Sequence, residues 1–201
     1  MAVSGAALFA FVVGHLIGNL QFFEGPEKIN AYGRFLRGMP ALLWGTRIGL
    51  LVMVALHIWS SIALAVRKSA ARPIGYKRKK AVHSSYASRT MYWSGPIIAA
   101  FVIYHLLDFT VGAVNPGFED GSVYANMVRS FQVPAVAAFY IIAMALLCLH
   151  LYHGVWSMFQ TLGVQHPRYT PMLRRFAAIA SVMIFLGFAS IPISVLTGLR
   201  R

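Results

Sequence analysis

Polar residues break this chain into five long apolar runs, at about residues 2–23, 41–66, 92–114, 134–159 and 172–196. Each run reaches the roughly 20 residues that a helix needs to cross a hydrocarbon core of about 30 Å. Pro96 falls in the first turn of the third run and Pro134 opens the fourth, where a missing N–H costs little. Pro192 lies near the end of the fifth. Nothing alternates with period two over ten residues, which excludes a transmembrane barrel. There is no internal repeat and no low-complexity segment, and the links between runs are short. The pattern predicts an all-α integral membrane bundle of five helices, with residues 1–201 forming one domain.

Charge sharpens this reading. The chain is 58% apolar and 11% charged, against about 45–50% and about 25% in an average globular protein. Its 18 Lys and Arg against 5 Asp and Glu give a formal +13. In a soluble protein that excess would point to nucleic acid. Here the basic residues gather between the apolar runs, so the expected partner is membrane lipid and not nucleic acid. Arg67, Lys68, Arg72, Lys77, Arg78, Lys79, Lys80 and Arg89 lie between runs two and three, and Arg168, Arg174 and Arg175 around the start of run five. The other side has Lys28, Arg34 and Arg37 after run one and Arg129 after run three. The positive-inside rule therefore puts the N-terminus in the cytoplasm and the C-terminus outside, with Arg200 and Arg201 against the rule. The start lacks a basic n-region and a cleavage pattern, so the first run is expected in the mature protein. Cys148 is the one cysteine, which excludes a disulfide framework and a thiolate-held zinc or iron–sulfur site built by this chain alone.

Of seven histidines, His83 and His166 fall in links and read as surface residues. His15, His57, His105, His150 and His153 lie inside runs, where a charged residue at the centre costs ~2.5 kcal/mol or more and function is the default hypothesis. A single such histidine can be a neutral imidazole bonded to a carbonyl. Four runs each carrying one past the midpoint, toward the run's own C-terminal end, form a pattern. Consecutive spans run antiparallel, so His15 and His105 lie toward the outer face and His57 and His150 toward the cytoplasmic face. Two imidazoles facing across a bundle suit the axial positions of a haem iron. Zinc or copper also takes imidazole, but fits less well where no carboxylate or thiolate is near. Gly154 follows His150 by four, Gly18 and Asn19 follow His15 by three and four, Ser61 follows His57 by four and Gly112 follows His105 by seven. Small residues there leave room for a porphyrin edge, or serve ordinary helix packing. His153 competes with His150 as a ligand; His150 is deeper and has the glycine, which leaves His153 near the headgroups to bond a propionate.

The strings GHLIGNL around His15, ALHIWSS around His57, YASRTMYWSG before run three, VIYHLLDF around His105 and LHLYHGVWSMFQTLG around His150 resemble the five-helix, dihaem cytochrome b subunit of succinate:quinone oxidoreductases and fumarate reductases. The resemblance covers essentially the whole chain. It implies two b haems surrounded by four of the five helices, the distal one held by His15 and His105 and the proximal one by His57 and His150. It implies a multi-pass subunit of the bacterial cytoplasmic membrane. A flavoprotein subunit and an iron–sulfur subunit would dock on its cytoplasmic face, and it would serve quinone, either menaquinone or ubiquinone. The chain itself has no phosphate loop, flavin fingerprint or catalytic triad. Some relatives carry a glutamate two residues before the fourth ligand; here Cys148 stands there, which argues against that proton route.

Further roles follow from the resemblance. Ser88 and Arg89 would contact proximal haem propionates or anchor the membrane face, and Arg47 would do the same for the distal haem. The run from Tyr76 to Lys80 would be an electrostatic docking surface, and run five, without a histidine, would support the others. A second haem has use only if quinone docks near it. That points to Gln21, Asn30, Tyr32 and Asp108 at the outer end, Asp108 being the acidic residue inside a span. Alternatively Asp108 pairs with Arg47 or a loop arginine, and quinone docks near Ser61 and Trp156. Competing readings are the cytochrome b subunit of a hydrogenase or formate dehydrogenase, and a haem-free transporter or anchor. A transporter would show inverted repeats and broken helices, and the sequence has neither.

Overall fold

The computed structural model describes residues 1–71 and 86–200. Most of the basic stretch, from Arg72 to Lys80 with Tyr76, lies outside the described residues, as do His83 and Arg201. Every described element is helical: α1 (Ala2–Leu20), a 3₁₀ turn (Gln21–Glu24), α2 (Pro26–Arg37), α3 (Pro40–Ala70), α4 (Tyr86–Leu106) continued by a π turn (Leu107–Val111), α5 (Val123–Phe131), α6 (Pro134–Thr161) and α7 (Thr170–Leu196). Five of these segments are long and apolar enough to cross a membrane: Ala2–Glu24, Pro40–Ala70, Tyr86–Val111, Pro134–Thr161 and Thr170–Leu196. Spanning segments must satisfy their own backbone polar groups, which a helix does internally.

Several helices outrun their apolar runs. The second span continues to Ala70 and the third starts at Tyr86, because basic and polar residues continue a helix once its apolar part has nucleated it. Prolines at the first turns open α2, α3, α6 and α7, where the pyrrolidine ring fits and no hydrogen bond is lost. Gly112, at φ 77°, closes the third span in the left-handed region, which glycine enters at little cost.

The links after spans one and three hold short helices, where the hydropathy pattern had only loops. α2 and α5 pack against each other at one end of the bundle. There Phe22, Ile29, Met127 and Phe131 join Tyr140 and Ile191 in the apolar core. Buried amides tie this end together. Asn126 Oδ1 accepts from the Glu119 N–H at 3.0 Å and its Nδ2 donates to the Glu119 carbonyl at 2.7 Å. Asn30 Oδ1 accepts from the Tyr124 N–H at 3.0 Å, which satisfies a donor in the first turn of α5. The ion pair Arg37–Asp120, at 3.0 Å, is exposed on both sides and adds little. Replacing Asn126 by Ala is expected to lower stability by about 1–3 kcal/mol, because two hydrogen bonds to the Glu119 backbone are lost, each contributing about 0.5–1.5 kcal/mol. The check is the thermal midpoint of the detergent-solubilised protein, against Arg37→Ala as a near-neutral control.

Along the bundle, α6 is the central element, packed against α7, α4 and α1. α3 rests on α1 and α2 and buries none of its residues. Its apolar side chains, such as Leu51, Trp59 and Ile62, are exposed, as befits a helix bathed in lipid.

Candidate functional site

Four of the span histidines meet in two pairs. The His15 ring of α1 faces the His105 ring of α4, with centroids 5.8 Å apart and planes at 87°. The His57 ring of α3 faces the His150 ring of α6 at 6.3 Å and 57°. Two imidazoles on one metal, with bonds of about 2.0–2.1 Å, put their centroids roughly 6 Å apart. The pairs sit at different levels. His57 touches Ser4 at the start of α1, whereas His15 lies eleven residues further along the same helix, which is ~16 Å at 1.5 Å per residue.

In all four histidines the protein partner stands at Nδ1. Ser4 Oγ is 3.2 Å from His57 Nδ1 while donating to the Met1 carbonyl at 3.1 Å. Its oxygen therefore accepts from Nδ1–H, which leaves the Nε2 lone pair for a metal. Ser94 Oγ is 3.5 Å from His150 Nδ1, and the Asn19 amide nitrogen is 3.3 Å from His15 Nδ1 and 2.7 Å from the His15 carbonyl oxygen. Tyr140 Oη is 3.5 Å from His105 Nδ1 and donates to Asp108 Oδ2 at 2.8 Å. Acceptors at the second ring nitrogen orient metal-binding histidines and set their tautomer; Ser4 and Tyr140 stand so at His57 and His105, whereas the Asn19 amide is a donor toward His15 Nδ1. Aromatic rings enclose the first pair: Phe11 stacks on His15 at 5.2 Å, and Phe101 and Phe109 pack on His105 at 5.8 and 5.5 Å. Among the described residues no three His, Cys, Asp or Glu side chains converge as a metal site would need. The donor set is thus two imidazoles per level, which suits an iron already held by a macrocycle.

The small residues divide. A Cβ on Gly154 would meet nothing within 4 Å, so the room expected there is open. A Cβ on Gly18 would come within 2.8 Å of the Tyr32 ring, and one on Gly112 within 2.4 Å of Phe118. The room expected at Gly18 and Gly112 is therefore taken by the protein itself. Gly18 admits Tyr32 of α2, and Gly112 ends a helix. Ser61 is exposed on α3.

The other candidates are placed as follows. Ser88 and the exposed Arg89 lie in the first turn of α4, at the His57–His150 end, and His153 is half-buried one turn beyond His150. Arg47 is exposed and lies over the Trp44 ring at 5.2 Å, an arrangement typical of an interface anchor. Arg174 covers the Trp156 ring at 4.7 Å. His166 stacks on Tyr169 in the exposed link before α7, and Cys148 is half-buried. Gln21 is half-buried in the 3₁₀ turn. Asn30 and Tyr32 are engaged with Tyr124 and Gly18. Asp108 is 1% exposed and holds the hydroxyls of Ser130 and Tyr140 at 2.7 and 2.8 Å. Its partners are neither Arg47 nor a loop arginine, and it is enclosed and does not face open space. Ser4, Ser94, Ser130 and Tyr140 are site residues that sequence reasoning missed. Helical spacing carries no signal for them, because Ser4, Ser94 and Tyr140 meet a histidine, and Ser130 meets Asp108, from another helix.

A family model described as the succinate dehydrogenase/fumarate reductase transmembrane subunit matches residues 68–190. The chain belongs to this family. The matched stretch of the transmembrane subunit includes His105, Asp108, Tyr140 and His150. The chain is also similar to the succinate dehydrogenase cytochrome b558 subunit of Bacillus subtilis (strain 168), 22% identical over 181 residues, which covers 89% of this chain and 83% of that one. No solved structure is matched.

Proposed function

We propose that this transmembrane subunit anchors the flavoprotein and iron–sulfur subunits of a succinate:quinone oxidoreductase to a bacterial cytoplasmic membrane and binds two b haems. His15 and His105 would hold the distal haem, His57 and His150 the proximal one. The observation that carries the reading is the two facing imidazole pairs at two levels of the bundle. Bound there, the haems would supply one-electron carriage between the iron–sulfur subunit and quinone. The chain's own residues orient the imidazoles, exclude water through the aromatic enclosure of His15 and His105, and leave room at Gly154. Ser88, Arg89 and His153, at the His57–His150 end, would be the contacts of the proximal haem propionates. The test is the pyridine haemochrome and the reduced-minus-oxidised spectrum of the purified complex. Two b haems per chain are expected; a haem-free complex, or one haem, sinks the reading.

The catalytic subunits would dock at the end that carries His57 and His150. This end bears Arg67, Lys68, Arg89, Arg174 and Arg175, and the positive-inside rule makes it cytoplasmic. Cross-links from the iron–sulfur subunit are expected in residues 67–89 and 163–171. Cross-links in 24–40 would reverse the topology. A second haem beside α2 and α5 would have no obvious use if electrons stopped at the first, so the quinone site would lie at that end, with Gln21 as a hydrogen-bonding candidate.

A further inference from the structure

Asp108 is a fully buried carboxylate inside a membrane span, a costly placement, and none of its contacts given above is with a cation. It sits in the π turn Leu107–Val111, a local widening of the helix that recurs at functional sites. Two hydroxyls donate to the same oxygen: Ser130 from α5 at 2.7 Å and Tyr140 from α6 at 2.8 Å. The second donation decides what Tyr140 offers His105. With its proton committed to the carboxylate, Tyr140 Oη meets His105 Nδ1, at 3.5 Å, only as an acceptor. Nδ1 then carries the hydrogen and the Nε2 lone pair is free. The chain of polar groups runs from His105 through Tyr140 to Asp108, with Ser130 steadying its far end. Packing fixes Tyr140 independently, since Phe101, Phe109 and Phe131 surround its ring at 5.0–5.7 Å.

On the dihaem reading above, we propose that Asp108, acting through Tyr140, is a positioning residue for His105: it fixes the tautomer, raises the basicity of the imidazole and so lowers the reduction potential of the distal haem relative to an unsupported ligand. A carboxylate relayed to the outer nitrogen of a ligand histidine is a recurrent way of tuning a metal. The His57 side reaches the same tautomer through Ser4 without a charge, so the two pairs are supported unequally. This gives Asp108 a use that neither a salt bridge nor a quinone contact supplies.

The experiment is a redox titration of the whole complex, followed in the b-haem absorbance, for the unaltered protein, Tyr140→Phe and Asp108→Asn. His15→Ala identifies which component belongs to the distal pair. Both variants are expected to retain both haems and to raise the potential of that component by roughly tenfold in its reduction equilibrium, matching the low end of the effect that such partners have on metal affinity, or ~59 mV for one electron. The other component stays put. Loss of haem from that pair alone in Tyr140→Phe also supports the inference, because Phe keeps the ring packing. Two haems with unmoved potentials in Tyr140→Phe overturn it, as does an equal shift or loss of both. Tyr140→Phe decides if Asp108→Asn does not accumulate. A single b component in the unaltered complex overturns the dihaem reading itself, which separates the two failures.

Discussion

Alanine at His57 or at His150 is expected to remove the same half of the b-haem absorbance, and alanine at His15 or His105 the other half. On the proposed function each pair would act as a unit: an iron that lost one imidazole would keep a single protein bond, and the remaining ring loses the partner it faces at 5.8 or 6.3 Å. The measurement is the haem-to-protein ratio together with low-temperature spectra of the purified complex. The four variants should fall into two indistinguishable classes. His153→Ala, half-buried and one turn away, should retain both components. If His57→Ala and His15→Ala abolish the same component, the pairing is wrong, whatever the total haem content.

Gly154→Leu is expected to cost the His57–His150 component while leaving the helices assembled. Apart from the backbone of its own helix and its chain neighbours, no protein atom lies within 4 Å of a Cβ at that position, and leucine is the better helix former by nearly 1 kcal/mol, so the polypeptide has no reason to object. A bulky side chain there would object only to something that the protein itself does not provide. Gly18→Leu makes the contrast, since its Cβ would stand 2.8 Å from the Tyr32 ring and the damage would be to the docking of α2 on α1. Accumulation of the complex separates the two effects from haem content. Gly154→Leu with both components intact would remove Gly154 from the site and return it to ordinary packing.

The five spans were legible because lipid leaves the chain few options: about 20 apolar residues and internally bonded backbone. The meeting of His15 with His105 and of His57 with His150 was legible for a related reason. Alternation of direction converts position along a span into depth. α2 and α5 were not legible from hydropathy. Both are short amphipathic pieces whose mean polarity reads as loop, and they fold against each other and the bundle end. The partners at Nδ1 escaped as well. Ser4 and His57 are 53 residues apart, and Tyr140 and His105 are 35 apart; which rotation brings them together is a property of packing, not of periodicity. Gly18 and Gly112 looked like the open notches that Gly154 is, because a glycine in sequence does not reveal whether Tyr32 or Phe118 will fill the space. Asp108 was legible as exceptional, either as a quinone-side group or as the partner of an arginine; its partners are two hydroxyls.

α6 brings both His150 and Tyr140, and this gives it a place in time as well as in space. Synthesis runs from the N-terminus at about 5–20 residues per second. Both histidines of the first pair are in the chain once the third span ends at Val111, whereas the fourth span is complete only at Thr161, a delay of roughly 3–10 s at that pace. During that interval His15 and His105 exist without the hydroxyl that orients one of them, and His57 exists without its opposite number. Arrival of one helix then supplies the missing ring of the second pair and the missing support of the first. The two pairs are completed together on that event, and α7, which brings no histidine, follows when all four rings are already present.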